Sequence, residues 1–305
     1  MLIYLRDKLA LSVLVLLTVS LIGFALLRLS GDLAASLAGE NASLDEIAAL
    51  RHSLGLDRSL IVQYGAWLAD ALRGDLGASF FTHEPVSRLF LDRIGVTATM
   101  AGLALVVALA LSLPLGVIAA LRPNTWIDRA ISALALSGQA MPGFWLGLML
   151  ISFFGVTLRW LPISGSSTPA HFVLPVAVLA LGAVPALTRL MRSGMLDVLE
   201  QDYIRTARSK GLPVTLIMLR HAMRNALLPV VSLSAVQLGA LLGGSVIVET
   251  VFAIEGIGLL TYRSIQRNDF PVVQAMLVFV SVCYVALTLL ADLLNAWLDP
   301  RLREA

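Results

Sequence analysis

The sequence predicts an all-α polytopic membrane protein with six transmembrane helices, and three observations carry that reading. Of 305 residues, 58% are hydrophobic and only 14% charged, against about 25% charged in a soluble domain. Mean hydropathy is +0.86. The apolar residues are also gathered into runs, each long enough to cross about 30 Å of hydrocarbon at 1.5 Å per helical residue. A formal net charge of +2 is too small to suggest a nucleic-acid partner, and the basic residues cluster in links between runs. One cysteine, Cys283, excludes an intrachain disulfide, a Cys-based zinc site and an iron–sulfur cluster. The two lysines, Lys8 and Lys210, close no G-x-x-x-x-G-K-[ST] loop, so no phosphate-binding ATPase motif of that type is present. His52, His83, His171 and His221 are widely separated, which argues against a protein-built metal site.

The first run, Leu9 to Leu27, follows a basic head with Arg6 and Lys8. At about 19 residues it exceeds a signal-peptide core of 7–15, so it reads as an uncleaved span, although Ser36-Leu37-Ala38 fits a cleavage site. The later runs are Val96–Leu121, Ala130–Leu158, Phe172–Leu190, Leu227–Phe252 and Val272–Leu298. The basic residues of the short links, Arg6 and Lys8, Arg122 and Arg129, and the group from Arg189 to Arg224, fall on one side. That side is expected to be cytoplasmic, with both termini there. The expected domains are an N-terminal transmembrane helix at 1–29, an outside helical insert at 30–95, a five-helix core at 96–298 and a cytoplasmic tail at 299–305.

Helix punctuation is legible in the insert. Ser43-Leu44-Asp45-Glu46 fits a capping box, in which serine and glutamate satisfy orphan N–H groups, and Gly55 should close that helix. A second helix, about Arg58 to Arg73, should end at Gly74. Pro85 should open a third piece, Val86 to Ile94, with Leu89, Phe90 and Ile94 lying on the bilayer surface.

The largest polar stretch on the inner side is 195–228. A helix is expected from Asp197 to Lys210, acidic early and basic late in keeping with the helix dipole, stopped by Gly211 and Pro213. A second helix should run from about Val214 into the fifth span. A short helix, a sharp turn and a helix re-entering the membrane suit docking in a partner's groove, while a plain basic loop obeying the positive-inside rule would share the same composition.

The run Asp202-Tyr203-Ile204-Arg205-Thr206-Ala207-Arg208-Ser209-Lys210-Gly211-Leu212, followed by 220–229, RHAMRNALLP, resembles the EAA-type coupling loop of binding-protein-dependent ABC importer permeases. Within that group it is similar to the dipeptide, oligopeptide and nickel permeases. Leu54-Gly55-Leu56-Asp57, Gln63-Tyr64 with Trp67, Gly74-Asp75-Leu76-Gly77, residues 142–147 (PGFWLG), Leu161-Pro162 with Ser164-Gly165, residues 269–274 (DFPVVQ) and Asp299-Pro300-Arg301 follow the family order. The chain departs from the family at Arg205, where the general pattern is acidic, at Ser30-Gly31-Asp32-Leu33, where a proline turn is usual, and at Glu255, where proline is usual.

The resemblance implies a type I ABC importer transmembrane fold and half of a translocation pathway for small peptides, with nickel or a metal chelate as the alternative cargo. It implies a homologous second permease, two ABC ATPase subunits that hold ATP and magnesium, and an extracytoplasmic substrate-binding protein. No cofactor on this chain and no catalysis by it are expected. Tyr203, Ala207, Arg208, Gly211 and Leu212 are implied to contact an ATPase.

Polar groups inside spans are costly and tend to face a bundle interior or a water-filled path. Gln139, Gln237 and Glu249 are therefore the pathway or gate candidates, and an interhelical hydrogen bond is the competing reading for each. Asp292 and Asn295 are more readily placed near the inner surface. Gly239 and Gly243 make a G-x-x-x-G suited to close packing on a second permease, and Pro114, Pro142, Pro175 and Pro185 are candidate hinges. An ion-gradient carrier using Glu249 or Asp292 is the rival of another class. It calls for internal repeats with interrupted spans, and no duplication between the two halves is evident.

Overall fold

The computed structural model describes residues 2–29, 33–39 and 42–298. Asp299-Pro300-Arg301, the tail at 299–305 and the side chains of Ser36 and Asn295 lie outside the described residues. The described chain forms two compact units. One comprises residues 97–254 and the chain from 286; the other comprises 2–96 and 255–285.

In the second of these, helix α1 (Leu2–Leu29) is followed by α2 (Leu33–Ala38), α3 (Leu44–Ser53) and α4 (Leu60–Leu72). Ser43 and Glu46 close a complete capping box on α3, with the Ser43 N–H donating to Glu46 at 2.8 Å and the Glu46 N–H to Ser43 at 3.3 Å. The expected glycine stops are both present. Gly55 (φ +65°) donates to the His52 carbonyl and Leu56 to that of Arg51; Gly74 (φ +87°) donates to Ala71 and Asp75 to Asp70. These are Schellman caps, which need a left-handed residue that glycine adopts without steric cost. Tyr64 of α4 packs edge-on and Trp67 tilted against Phe24 of α1, with ring centroids at 5.6 and 6.3 Å, and Tyr64 shares a 2.8 Å bond with Ser20. Helix α5 (Val86–Leu121) begins in this unit.

Val86–Ile94 is therefore not a separate surface helix. It is the first part of a 36-residue helix, about 54 Å at 1.5 Å per residue. Leu89 and Phe90 are buried, Phe90 against Phe279 at 5.8 Å, because apolar partners were available within the protein.

The other unit continues α5 and adds α6 (Trp126–Ala140), α7 (Gly143–Leu150, widening into a π-helical turn at Ile151–Thr157) and α8 (Ala170–Leu199). Beyond them lie α9 (Asp202–Ser209), α10 (Val214–Leu216, leading into a π-helical Ile217–Ala222) and α11 (Met223–Val251). Helix α12 (Ile257–Gln266) and the start of α13 (Phe270–Leu298) belong with α1 to α4 in the unit of residues 2–96 and 255–285.

Among the described residues five helical stretches are long and apolar enough to span a bilayer, and a sixth span arises if α6 with α7 counts as one. The expected unbroken run Ala130–Leu158 is bent by 96° between these two helices. Met141 there is extended (φ −95°, ψ 127°), as a residue before proline prefers, and Pro142 cannot donate to carry the helix on. Of the candidate hinge prolines only Pro142 stands at such a break; Pro114, Pro175 and Pro185 sit inside unbroken helices.

Helix α8 carries much of this unit's core: Leu187, Met191 and Met195 are fully buried. Its neighbours come close where a side chain is missing. A Cβ on Gly116 of α5 would lie 2.7 Å from that of Met191, one on Gly138 of α6 would lie 3.0 Å from the Leu181 carbonyl, and one on Gly194 would lie 3.1 Å from the Ala226 carbonyl of α11.

Candidate functional site

The polar segment between α8 and α11 is built differently from the sequence expectation at its start. Asp197 does not open a helix; α8 continues to Leu199, the chain breaks at Glu200 and Gln201, and α9 starts at Asp202. Tertiary packing prevails over the acidic start signal, because Met195 is fully buried and Gly194 rests on α11.

Helix α9 turns Ile204 and Ala207 inward, one turn apart, and leaves Asp202, Arg205, Arg208 and Lys210 exposed. The inward pair packs toward the π-helical turn, whose Ile217, Met218 and Ala222 are buried in turn. Gly211 ends the helix at φ +73°, donating to the Arg208 carbonyl at 2.9 Å while Leu212 donates to that of Ala207 at 3.3 Å. Four of the expected coupling residues thus form one object: Ala207 and Arg208 supply carbonyls, and Gly211 and Leu212 supply N–H groups, in a single Schellman cap. The fifth, Tyr203, is exposed on the same helix, and its hydroxyl accepts a 2.8 Å bond from Asn225 of α11. Arg205 makes an exposed 3.4 Å ion pair with Asp202.

The three intramembrane candidates are not brought together. Gln139 is exposed near the end of α6. Gln237 is half-buried and is the single polar side chain lining a cavity of about 340 Å³. Pro142, Gly143 and Phe144 at the α6–α7 break form one wall, and Gly182 of α8 and Gly244 of α11 contribute to others. Glu249 is fully buried and accepts a 2.7 Å bond from the Thr97 hydroxyl of α5. It is a helix-to-helix link in this structure. In the G-x-x-x-G, Gly239 is buried, while an added Cβ on Gly243 would meet nothing within 4 Å. Asp292 is half-buried on α13. Glu255 is exposed and lies 3.5 Å from Arg263.

Two polar constellations were not foreseen. Asp128 of α6 accepts Arg192 of α8 through two bonds of 2.6 and 2.7 Å and also the Asn124 N–H at 2.9 Å. Asp269 accepts the Ser79 hydroxyl at 2.6 Å and the Phe80 N–H at 3.0 Å. An acid at the mouth of an apolar run was a usable signal for Asp128, but its partner 64 residues away was not visible. Among the described residues no cluster of His, Cys, Asp or Glu suited to a metal ion occurs.

The chain is thus a helical membrane protein with one span broken over a cavity and a capped helix slung between two spans. It belongs to the family of binding-protein-dependent transport system inner membrane components. That family's model matches residues 112–304, and the model for the N-terminal part of such membrane components matches 1–101.

A putative peptide transport system permease protein of Brucella abortus is 39% identical over 97% of this chain and 98% of its own length. A probable peptide ABC transporter permease of Sinorhizobium fredii is 36% identical over 99% of both. The glutathione transport system permease protein of Salmonella choleraesuis is 38% identical over 90% of each. Among solved structures, a chain of the MetNI methionine ABC transporter superposes with a TM-score of 0.56 at 21% identity, covering 71% of this chain and 99% of that one. The fold is that of a type I ABC importer membrane subunit.

Proposed function

We propose that this chain forms half of the translocation pathway of an ATP-driven peptide importer. The partners are a homologous second permease, two ATPase subunits that bind ATP and magnesium and carry out the hydrolysis, and an extracytoplasmic binding protein. The chain itself binds no cofactor and catalyses nothing. Both termini and the segment 195–228 face the cytoplasm, in keeping with the basic residues of the short links. Small peptides are favoured over nickel or a chelate because the similar proteins carry the names of peptide and glutathione permeases.

The observation that carries the proposal is the α9 cap. A chain without an ATPase motif of its own must receive work mechanically, and α9 offers an exposed basic end on a helix that packs on the π-helical turn and is tied to α11 through Tyr203 and Asn225. Tyr203, Ala207, Arg208, Gly211 and Leu212 are the contact with the ATPase. Gln237, with Gln139, lies along the pathway, and Glu249 holds the outer ends of α5 and α11 together as part of a gate.

The test is uptake of radiolabelled dipeptide, tripeptide and nickel in cells lacking this gene, complemented with wild type or Gly211→Asp. Peptide uptake should be lost without the gene, return with wild type and stay absent with the variant, while nickel uptake is unaffected. Normal peptide uptake in the deletion strain, or uptake independent of ATP, would refute the reading.

A further inference from the structure

We propose that the Asp128–Arg192 pair is a strut that carries movement of α9 to the α6–α7 break during the transport cycle. These are positioning residues: they act through the helices they join. The proposal rests on the transport reading above.

The carboxylate accepts three bonds. Its Oδ1 accepts Arg192 Nε at 2.6 Å, and its Oδ2 accepts Nη2 at 2.7 Å and the Asn124 N–H at 2.9 Å. Two parallel bonds between planar groups fix orientation as well as distance, which a lysine or an apolar contact does not. The Asp128 side chain is 6% exposed and that of Arg192 29%. Burying such a pair costs desolvation that its attraction only roughly offsets, so stability is a weak reason for its presence. A directional link is what it supplies beyond an apolar contact.

Its position gives that link something to transmit. Arg192 lies seven residues before the end of α8, and α9 begins three residues beyond that end. Asp128 is the third residue of α6, and ten residues further along the same helix Gly138 fits closely against the Leu181 carbonyl. Helix α6 therefore lies antiparallel along α8, pinned by charge at one end and by backbone proximity at the other. Two residues past α6 the chain turns through 96° at Pro142, which with Gly143 and Phe144 lines the cavity that Gln237 faces. A displacement of α9 moves the end of α8; with the fork intact, α6 follows without sliding, and the cavity wall moves with it.

The assembled importer, reconstituted in liposomes with its companion permease, ATPases and binding protein, provides the test. Wild type is compared with Asp128→Asn, Arg192→Gln and the double neutral variant, which leaves no buried charge unpaired. Three quantities are read: subunit recovery on purification, ATP hydrolysis with binding protein and a radiolabelled tripeptide, and tripeptide taken up per ATP. The expected result is near-normal recovery with ATP hydrolysis retained and uptake per ATP reduced at least tenfold, in the double variant as well as in any single variant that assembles. Uptake per ATP within twofold of wild type, or hydrolysis and uptake falling together with subunit recovery, would overturn the strut and leave a brace. Tripeptide uptake by the wild-type vesicles is a separate reading: its absence would bring down the transport assignment and the strut with it.

Discussion

Two of the three glycines of helix α5, Gly102 and Gly116, have surroundings that differ enough to predict opposite signs for the same substitution. A Cβ on Gly116 would stand 2.7 Å from the Met191 Cβ, 2.9 Å from its Cγ and 2.9 Å from the Thr188 carbonyl oxygen, whereas one on Gly102 would meet nothing within 4 Å. Carbon contacts relax at about 3.5–4.0 Å, so Gly116→Ala requires α5 and α8 to part by close to 1 Å. Overpacking of that kind costs about 1–3 kcal/mol. Replacing glycine within a helix returns about 1 kcal/mol through the unfolded chain, at both positions. The net expectation is a loss of up to about 2 kcal/mol for Gly116→Ala and a gain of about 0.5–1 kcal/mol for Gly102→Ala. Reversible unfolding of the detergent-solubilised chain, followed by tryptophan fluorescence, measures both. Gly116→Ala equal to or more stable than Gly102→Ala would refute the close approach of α5 to α8.

Asp269→Ala removes the acceptor for Ser79 and Phe80, at a cost of about 1.5–3 kcal/mol because the lost bonds are to a charged group; faster proteolytic nicking within 77–85 in the variant is expected, with wild-type rates counting against the link. Glu249→Ala takes from the buried Thr97 hydroxyl the acceptor it now uses, so it should lower thermal stability by the equivalent of about 1–3 kcal/mol, while Glu249→Gln, which keeps an acceptor oxygen, should lose less than half as much; equal losses would show that the hydrogen bond is not what counts. Donation from the Ser43 backbone and hydroxyl holds the Glu46 carboxyl below its usual pKa. The depressed folded value means that the capping contribution is full above the ordinary carboxylate range and is lost as pH falls through the folded one. Hydrogen exchange of the α3 amides, corrected for intrinsic rates, should therefore quicken between neutral and acidic pH in wild type and show a much smaller change in Glu46→Gln.

The three helix stops at Gly55, Gly74 and Gly211 were legible because a left-handed cap is decided by one residue and the few before it. The capping box at Ser43 and Glu46 is local in the same sense. Features that depended on distant partners were not legible. The acidic stretch around Asp197 looks like a helix start, yet α8 runs through it because Met195 finds a buried place and Gly194 an adjoining helix. Val86–Ile94 has the composition of a surface piece, but Leu89 and Phe90 are drawn into the protein and the helix stays unbroken from Val86 to Leu121. Pro142 was recognisable as a possible bend and not as a 96° turn, since proline removes one donor while the size of the bend depends on what receives the next helix. The residues proposed for coupling show both sides of this divide. Gly211 could be assigned to a helix stop from sequence, but the bond from Asn225 to Tyr203 that fixes α9 to α11 spans 22 residues. Asp128 and Arg192 stand at the far end of the scale. Each reads in sequence as one more charge near a membrane surface, and only the antiparallel course of α6 along α8 turns them into a two-bond fork.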